Sequence, residues 1–475
     1  MQAVLNALQG YARLQPGTVA LAAGSESLSY AALAQRVSLL ADWLRAAKLR
    51  APVAWLADNG PDWVVLDLAL AQAGIAALPV APFFSEAQRQ HVLADSGAGW
   101  LISQDPRGQP LPGVHLYAVP LPDSSAAAAL PAGTVKLTYT SGTTGTPKGV
   151  CLSGTQLDAT LRALDEAIGP IKVARHLCTM PLAVLLENLA GVYLPLLRGV
   201  TIELPPLAAL GMQSFPPDVP MFIAALQQSA ADSLILLPST LQWLVAATAS
   251  GQLNKRWRFL AVGGGKTARA TLQQAEKLGL PVFEGYGLSE AGSVVALNRP
   301  GAQRRGSVGK PLSHVSVSLA EDGEVMVAGN AMLGYLGHGP SPALIATGDL
   351  GEFDADGYLT ILGRKKHTIV TGMGRNVSPE WLEAEFTAIP GVRQAFVYGD
   401  EASGLHALFF CTEPLAANIA LARANDQLPA YARLDGWLLI DTPFSPAQGE
   451  ITPNGRLCRE RILANRLPLL QGVAP

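Results

Sequence analysis

The stretch that decides the fold is Thr138-Tyr139-Thr140-Ser141-Gly142-Thr143-Thr144-Gly145-Thr146-Pro147-Lys148-Gly149. A short run with β character, Val135 to Tyr139, leads into hydroxyl residues, glycines and one lysine. Glycines let backbone N–H groups turn toward an anion, hydroxyls add short donors, and Lys148 supplies a mobile positive charge. The spacing is not that of a Walker loop, in which Gly-Lys-Ser/Thr opens a helix. Such clusters also mark ordinary loops, but the preceding strand and the lysine favour a polyphosphate-binding loop.

The composition is that of a large, well-buried globular protein. A chain of 475 residues exceeds one ordinary core, so we expect two or more domains. Hydrophobic residues make up 49% and charged residues 15%, and a net charge of -3 gives no basic field for nucleic acid. The four cysteines form no CxxC pair, which favours a reducing compartment over a disulfide framework.

The N-terminus lacks the basic and apolar regions of a secretory signal. The longest apolar run, Val64 to Pro79, is interrupted by Asp67, Gln72 and Gly74 and is too short to span a membrane. We therefore expect a cytoplasmic protein with no membrane span and no nucleic-acid partner.

Strands and helices alternate along the first part of the chain. Ser29 is placed to cap a helix over Tyr30 to Lys48. Pro52 to Leu56 is typical of a buried strand, Pro61 to Ala73 of a helix, and Gly74 to Pro79 of the next strand. This alternation predicts an α/β fold built on covered, mostly parallel sheets.

Two later segments combine a strand with ligand-binding residue types. Phe259 to Val262 runs into three glycines and Lys266, where a planar ligand could lie against bare backbone, although a tight turn explains the glycines equally well. Pro281 to Glu290 brings an aromatic residue, a glycine, a hydroxyl and a carboxylate to a strand end, where open α/β sheets bind their ligands.

From about Gly306 the period changes to two, which predicts an antiparallel sheet or a small β-barrel. Within it, Asp349 could hold a ribose diol with both oxygens, although a lone aspartate is more often a turn residue. Beyond Lys366 the chain starts again as a small α+β unit, with a helix capped by Ser378. We expect a large N-terminal domain over residues 1–365 and a small, mobile C-terminal domain over residues 366–475.

Five motifs now stand in a recognisable order and spacing: Thr140 to Gly149, Tyr286 to Glu290, Thr347 to Asp349, Gly363 to Lys366, and Thr452 to Arg456. Along essentially its whole length the chain resembles the adenylate-forming superfamily of acyl-CoA synthetases, nonribosomal-peptide adenylation domains and firefly-type luciferases. Two segments most resemble the long-chain acyl-CoA synthetases. They are Met180 to Glu187, similar to "LPLSHxxE", and Lys365 to Pro379, similar to "KKxxIxxxGGKNVSP".

The resemblance implies an acid–thiol ligase with two half-reactions. A carboxylate attacks the α-phosphorus of ATP, giving an acyl-adenylate and pyrophosphate, and a thiol then attacks the acyl carbon and releases AMP. The implied cofactors are ATP and Mg²⁺. The thiol is that of coenzyme A or of the phosphopantetheine of an acyl carrier protein. Positioning and charge neutralisation would supply most of the catalysis.

The resemblance also assigns the nucleotide contacts. Tyr286 would stack on adenine, Ser289 would touch the α-phosphate, and Glu290 would hold Mg²⁺. Asp349 and Arg364 would bind the ribose. The residues implied to cradle the β- and γ-phosphates are Thr140, Ser141, Gly142, Thr143, Thr144, Gly145 and Lys148. Those implied to lie beside the adenine are Gly264, Gly265 and Gly287.

The C-terminal residues receive mobile roles by the same resemblance. Lys366 would be the hinge about which the small domain swings, and Gly372 and Gly374 would then enter the thiol channel. The family places a lysine between substrate carboxylate and α-phosphate, where this chain has Arg456. Arginine keeps the charge but cannot place a compact ammonium there. We therefore expect a slow first step. The alternative is a nucleotide-binding family member with weak or no adenylation.

Apolar side chains dominate the candidate substrate pocket, for which the residues are Ala183, Val184, Leu236, Leu237 and Val262. Val184 stands where the family usually has a gating histidine or aromatic residue. No acidic residue lies between Pro181 and Leu186, which argues against an amino acid, since its ammonium group would need a buried partner. We expect a medium- or long-chain fatty acid, with an aryl or other hydrophobic acid as the alternative.

Overall fold

The computed structural model describes residues 1–122, 128–140, 147–452 and 456–470, the last four by their backbone alone. These residues form a large N-terminal part with three sheets and a smaller C-terminal part with two. The mixed α/β architecture predicted from the sequence is confirmed.

The largest sheet has nine strands and a parallel centre. Its strands, in spatial order, are Lys310–Pro311, Ala296–Leu297, Val282–Tyr286, Phe259–Val262, Ser233–Leu236, Arg175–Leu177, Thr201–Glu203, Val19–Ala23 and Glu26–Ser29. Three adjacent parallel strands, Ser233–Leu236, Phe259–Val262 and Val282–Tyr286, therefore end at one edge. Ligands of open α/β sheets bind at the carboxyl ends of such strands.

The second sheet has eight strands and joins parallel and antiparallel pairs. Its strands, in order, are Gly334–Tyr335, Lys148–Ser153, Thr134–Thr140, Ala77–Pro79, Val53–Leu56, Trp100–Ser103, Tyr117–Pro120 and Gln109–Pro110. The described ends of the decisive stretch pair antiparallel in this sheet, with Thr140 opposite Lys148.

The period-two segment forms an open antiparallel sheet of four strands: Ser316–Leu319, Glu324–Ala328, Leu344–Phe353 and Leu359–Arg364. The sequence predicted either an antiparallel sheet or a small β-barrel, and the described residues form the sheet. The C-terminal part contains the pair Ile369–Val370 and Asn376–Val377 and the three-stranded sheet Val392–Asp400, Gly404–Cys411 and Gly436–Ile440.

Helices cover the sheets. The α-helices are Gln2–Leu14, Tyr30–Ala47, Pro61–Ala73, Glu86–Ser96, Gly154–Ile168, Leu194–Leu197, Val219–Gln228, Pro238–Ala249, Arg269–Lys277, Pro379–Thr387, Pro414–Gln427 and Arg459–Leu470. Short 3₁₀ turns lie at Leu207–Leu210, Ser289–Ala291, Lys365–His367, Ala430–Ala432 and Pro446–Gln448. Among the described residues, no helix is both long and apolar enough to cross a membrane.

Local chemistry explains most helix boundaries. Ser29 accepts a hydrogen bond from the Ala32 N–H at 3.2 Å and begins the helix Tyr30–Ala47.

The apolar run from Leu186 to Leu197 differs from the regular helix that its composition predicts. It forms a π-helix over Glu187–Tyr193 and then a short α-helix, because Gly191 and Pro195 both weaken regular α-helix formation.

Candidate nucleotide and acyl site

One large cleft, with a volume of about 2280 Å³, lies at the carboxyl ends of the parallel strands and is bordered by the C-terminal part. It gathers most of the residues that the sequence singled out. Those that line it are Thr140, Lys148, Ala183, Val184, Leu237, Val262, Gly264, Gly265, Tyr286, Gly287, Ser289, Glu290, Arg364 and Arg456. Residues from distant parts of the chain therefore share one site.

The two strands that flank the predicted phosphate loop reach this cleft at their facing ends. Thr140 and Lys148 face each other across the strand pair. The Lys148 Nζ lies 5.7 Å from the centre of the Tyr335 ring. The predicted loop residues Ser141, Gly142, Thr143, Thr144 and Gly145 lie outside the described residues.

Asp349 is the centre of a buried polar cluster. Its Oδ2 accepts a hydrogen bond from the Tyr286 hydroxyl at 2.7 Å, and its Oδ1 pairs with the Arg364 Nε at 2.9 Å. Arg364 also donates to the Thr347 carbonyl at 2.9 Å. Burial raises the pKa of Asp349, and the Arg364 charge opposes that rise. Burial also raises the pKa of Tyr286, so its phenol remains a donor. Both carboxylate oxygens thus have protein partners, which a ribose diol would have to share or displace.

Glu290 is held by a residue that sequence reasoning missed. The Tyr335 hydroxyl donates to the Glu290 Oε1 at 2.7 Å, and the same ring lies beneath Lys148. Burial raises the pKa of Tyr335. Tyr335 reaches this place because Gly334–Tyr335 pairs with the strand that begins at Lys148. That pairing joins residues far apart in sequence, so no local pattern indicated it. A cleft carboxylate has the oxygen chemistry that suits Mg²⁺.

Two glycines of the cleft are required for different structural reasons. Gly264 has φ +81°, a left-handed conformation that side chains disfavour. At Gly287 a Cβ atom would fall 1.6 Å from the Ser293 carbonyl oxygen. The close approach of the Ser293 backbone alone therefore requires glycine at position 287. No contact with a ligand is needed to explain Gly287.

Arg456 reaches the cleft from the C-terminal part. One guanidinium nitrogen donates to the Gly264 carbonyl oxygen at 3.2 Å. Desolvation lowers the pKa of Arg456, the charge of Arg364 adds to this, and Asp349 and Glu290 oppose it. The residue as a whole is nevertheless exposed to solvent. The arginine therefore lies among the charged groups of the candidate nucleotide site.

Two hydrogen bonds with Thr452 hold Arg456 in that position. The Thr452 N–H donates to the Arg456 carbonyl at 2.7 Å, and the Arg456 N–H donates to the Thr452 hydroxyl at 3.0 Å. Two residues before Thr452, the buried Glu450 pairs with the Arg466 Nε at 2.7 Å. The segment that sequence chemistry alone favoured as a plain surface loop is thus tied to the last helix.

The apolar part of the cleft corrects one predicted pocket residue. Leu236 does not line the cleft: it is fully buried in the core on the opposite face of the strand Ser233–Leu236. Side chains alternate along a strand, so Ser233, Ile235 and Leu237 face the cleft instead. The continuous apolar run Leu234 to Leu237 concealed this alternation.

Asn59 shapes the wall that contains Ala183 and Val184. Its side-chain amide donates to the Met180 carbonyl at 2.9 Å and accepts from the Leu182 N–H at 2.9 Å. Nearby, burial raises the pKa of the fully buried Glu187 to about 8. The stretch Pro181 to Leu186, which forms this wall, contains no acidic residue.

The predicted hinge and thiol-channel residues lie outside the described cleft lining. Lys366 is exposed on the turn Lys365–His367, and Gly372 and Gly374 are exposed in the loop between Ile369–Val370 and Asn376–Val377. The structure therefore does not bring these three residues to the cleft. Their roles remain predictions.

Together, the α/β fold and the charged groups at its sheet edge are those expected of a nucleotide-binding enzyme. The chain belongs to the AMP-binding enzyme family, whose family model matches residues 8–336. It is 31% identical to a feruloyl-CoA synthase of Amycolatopsis sp. over 82% of this chain and 84% of that protein. It is 28% identical to the long-chain-fatty-acid–CoA ligase FadD15 of Mycobacterium bovis over 84% of each chain.

A solved structure extends the likeness of the fold to nearly the whole chain. The o-succinylbenzoate CoA synthetase of Bacillus subtilis, solved with its acyl-adenylate intermediate, superposes with a TM-score of 0.77. The two sequences are 23% identical, and the match covers 96% of this chain and 97% of that one. The same Bacillus protein has been solved with ATP and magnesium ion. The resemblance stated from the motifs is thus confirmed.

Proposed function

We propose that this protein activates a hydrophobic carboxylic acid with ATP and transfers the acyl group to the thiol of coenzyme A. The observation that carries this proposal is that Tyr286, Glu290, Arg364 and Arg456 line one largely apolar cleft, while Asp349 holds Tyr286 and Arg364 from behind. Membership of the AMP-binding family supports the adenylation step. The relatives named above as CoA synthase and CoA ligases favour coenzyme A over a carrier protein.

The first step joins a carboxylate oxygen of the acid to the α-phosphorus of ATP and breaks the bond to pyrophosphate. Arg456 and Lys148 would neutralise charge on the phosphate oxygens in this step. Glu290, positioned by Tyr335, would hold Mg²⁺, which supplies charge neutralisation at the phosphates when bound. The Asp349 cluster would position the ribose and the adenine ring.

In the second step the thiol sulfur attacks the acyl carbon, the bond to AMP breaks, and the thiol proton is lost. Gly372 and Gly374 would approach the reacting atoms after the C-terminal domain, residues 366–475, turns about Lys366. All three residues are exposed, which leaves them free to meet a different surface when the C-terminal domain turns.

The acid enters between Val184, Leu237 and Val262, and Ile235 and Phe259 extend the apolar lining. A fatty acid of medium or long chain suits this surface, and an aryl acid is the second candidate because of the feruloyl-CoA synthase relative. The absence of a cleft-facing acid between Pro181 and Leu186 in the described chain disfavours an amino acid.

The test is thioester formation by mass spectrometry with ATP, Mg²⁺, coenzyme A and one acid at a time: octanoate, palmitate, ferulate, 2-succinylbenzoate or phenylalanine. We expect acyl-CoA from octanoate or palmitate, less from ferulate, and none from phenylalanine. Preferential use of phenylalanine or of the dicarboxylate 2-succinylbenzoate would overturn the hydrophobic-acid proposal.

A further inference from the structure

A buried cluster of three metal-ligating side chains lies beside the apolar part of the cleft, which His176 and its neighbour Ser233 also line. His176 is on the strand Arg175–Leu177, Cys178 follows that strand, and Glu187 begins the π-helix Glu187–Tyr193. One ligand atom from each residue lies within 4.8 Å of the others. His176 is 4% exposed, and Cys178 and Glu187 are 0% exposed.

Two of these side chains have unsatisfied atoms. The His176 Nδ1 contacts the Ser233 hydroxyl at 2.8 Å, but its Nε2 has no hydrogen-bond partner among the described residues. The Glu187 Oε1 accepts from the Thr179 N–H at 2.9 Å, whereas its Oε2 likewise has no partner in the part of the chain that the structure describes. Leaving buried polar atoms unpaired costs about 1–3 kcal/mol each, so native proteins seldom do so.

The contact with Ser233 accommodates the tautomer of His176 that is protonated on Nδ1. The Ser233 hydroxyl is placed to donate to the Arg175 carbonyl at 3.5 Å, so its oxygen can accept from the His176 Nδ1–H. The Nε2 then has a free lone pair, which is the form of imidazole that binds a metal ion. An Nδ1–H held by a neighbouring acceptor is also the usual support of a metal-bound histidine.

Gly191 keeps the centre of the cluster open. A Cβ atom at this position would lie 3.1 Å from the His176 Nε2, 3.2 Å from the Glu187 Cδ and 3.3 Å from the Cys178 Sγ. Gly191 lies within the π-helix and has no left-handed backbone conformation, so its φ does not require glycine. The space among the three side chains is the remaining reason for a residue without a Cβ. π-Helical turns are frequent at functional sites.

We propose that His176, Cys178 and Glu187 form a site for a zinc-like divalent transition-metal ion. Nitrogen, thiolate sulfur and carboxylate oxygen are the donors that Zn²⁺ takes in proteins, and three protein ligands leave one position open. A neutral imidazole, a thiolate and a carboxylate balance two positive charges, so the occupied site carries no net charge in the interior. The ion would join the strand Arg175–Leu177 to the π-helix. This inference does not depend on the proposed ligase reaction.

The decisive experiment uses the full-length protein, freed of metal by chelator and titrated with Co²⁺ as a spectroscopic substitute for Zn²⁺. We expect one Co²⁺ per chain with a thiolate-to-cobalt charge-transfer band, displaced by Zn²⁺. We expect Zn²⁺ also to raise the thermal unfolding midpoint. If the wild-type protein binds no stoichiometric metal, the three side chains form a buried polar cluster without an ion, and the proposal is wrong.

Variants locate the site. Cys178→Ser should abolish the charge-transfer band, whereas Cys411→Ser, at a buried cysteine in the separate C-terminal core, should retain it. Gly191→Ala should weaken Co²⁺ binding by roughly tenfold or more, as loss of supporting geometry does at other metal sites. A band that survives Cys178→Ser, or disappears in Cys411→Ser, would place the metal elsewhere and overturn the assignment.

Discussion

At the scale of single residues, Arg456 stands where the motif resemblance implies a lysine at the proposed reaction centre. The guanidinium donates to the Gly264 carbonyl and lies among Asp349, Arg364 and Glu290. A planar fork bound to a backbone oxygen cannot serve as the compact, mobile charge that a lysine supplies. The substitution was evident from sequence. Its hydrogen bond to Gly264, from a separate part of the fold, was not.

We predict that Arg456→Lys increases acid-dependent ATP–pyrophosphate exchange by roughly tenfold or more, because a correctly placed charge lowers the barrier by at least about 1.4 kcal/mol. Arg456→Gln, which removes the charge, should decrease it. Initial rates at saturating ATP are the measurement. Equal rates for the lysine variant and the wild type would show that Arg456 does not act in the first step.

Tyr335 is the residue whose proposed role depends most on the structure. We predict that Tyr335→Phe raises the Mg²⁺ concentration for half-maximal adenylation by roughly tenfold, because Glu290 loses the donor that positions it. The phenyl ring keeps its place beside Lys148, so an effect of lost packing is minimised. Tyr358→Phe, at a tyrosine of the four-stranded-sheet region, is the control. An unchanged Mg²⁺ requirement in Tyr335→Phe would contradict the positioning role.

At the scale of elements, sequence periodicity predicted much, and strand pairing supplied the rest. The helix Pro61–Ala73 and the strand Phe259–Val262 occur with the predicted bounds, because a proline start, flanking glycines and apolar content are local signals. The orientation of Leu236 was wrong, since the apolar run Leu234 to Leu237 is buried on both faces and was read without Ser233, the polar residue that marks the cleft-facing side.

Neighbouring leucines test that orientation. We predict that Leu237→Phe lowers kcat/KM for the longest accepted acid about tenfold relative to the shortest, with a near-normal unfolding midpoint, because the ring enters the cleft. Leu236→Phe should instead overfill the core, costing about 1–3 kcal/mol of stability and leaving acid preference unchanged. The reverse assignment of effects would show that Leu236 lines the acyl pocket.

The strand Val282–Tyr286 contains a carboxyl group that links stability to pH. Burial raises the pKa of Glu284 from its usual value to about 7, and the Lys266 charge opposes that rise. The folded state therefore holds this proton more tightly than the unfolded state. The stabilisation it gives is present below the unfolded pKa and is lost as pH rises toward 7.

We predict that Glu284→Gln gains stability relative to wild type as pH rises from 5 to 8, by on the order of 1–2 kcal/mol. In this variant the Lys266 ammonium group loses the nearby Glu284 carboxylate. It keeps its hydrogen bond to the Ile361 carbonyl at 2.8 Å, so it still has a polar partner. Unfolding midpoints of both proteins across this range are the measurement. A constant difference between them would contradict the raised pKa.

At the scale of the whole molecule, few polar contacts among the described residues join the N-terminal and C-terminal parts near the cleft. The Gln242 amide donates to the Thr387 carbonyl at 2.6 Å, and the Arg269 N–H donates to the Glu385 carboxylate at 2.9 Å. With the Arg456–Gly264 bond, they hold the C-terminal part over the nucleotide residues. Sequence motifs predicted this assembly by family resemblance. Composition and periodicity alone could not have placed one part against the other.

The most direct test of the central claim is ATP–pyrophosphate exchange by the wild-type protein, because it reports adenylate formation whatever the acceptor thiol. We predict exchange that requires Mg²⁺ and a hydrophobic carboxylic acid, and that falls to background when the acid is omitted. Exchange with none of the acids, in a protein that ATP and Mg²⁺ still stabilise against heat, would contradict the account. It would identify a nucleotide-binding family member without adenylation activity.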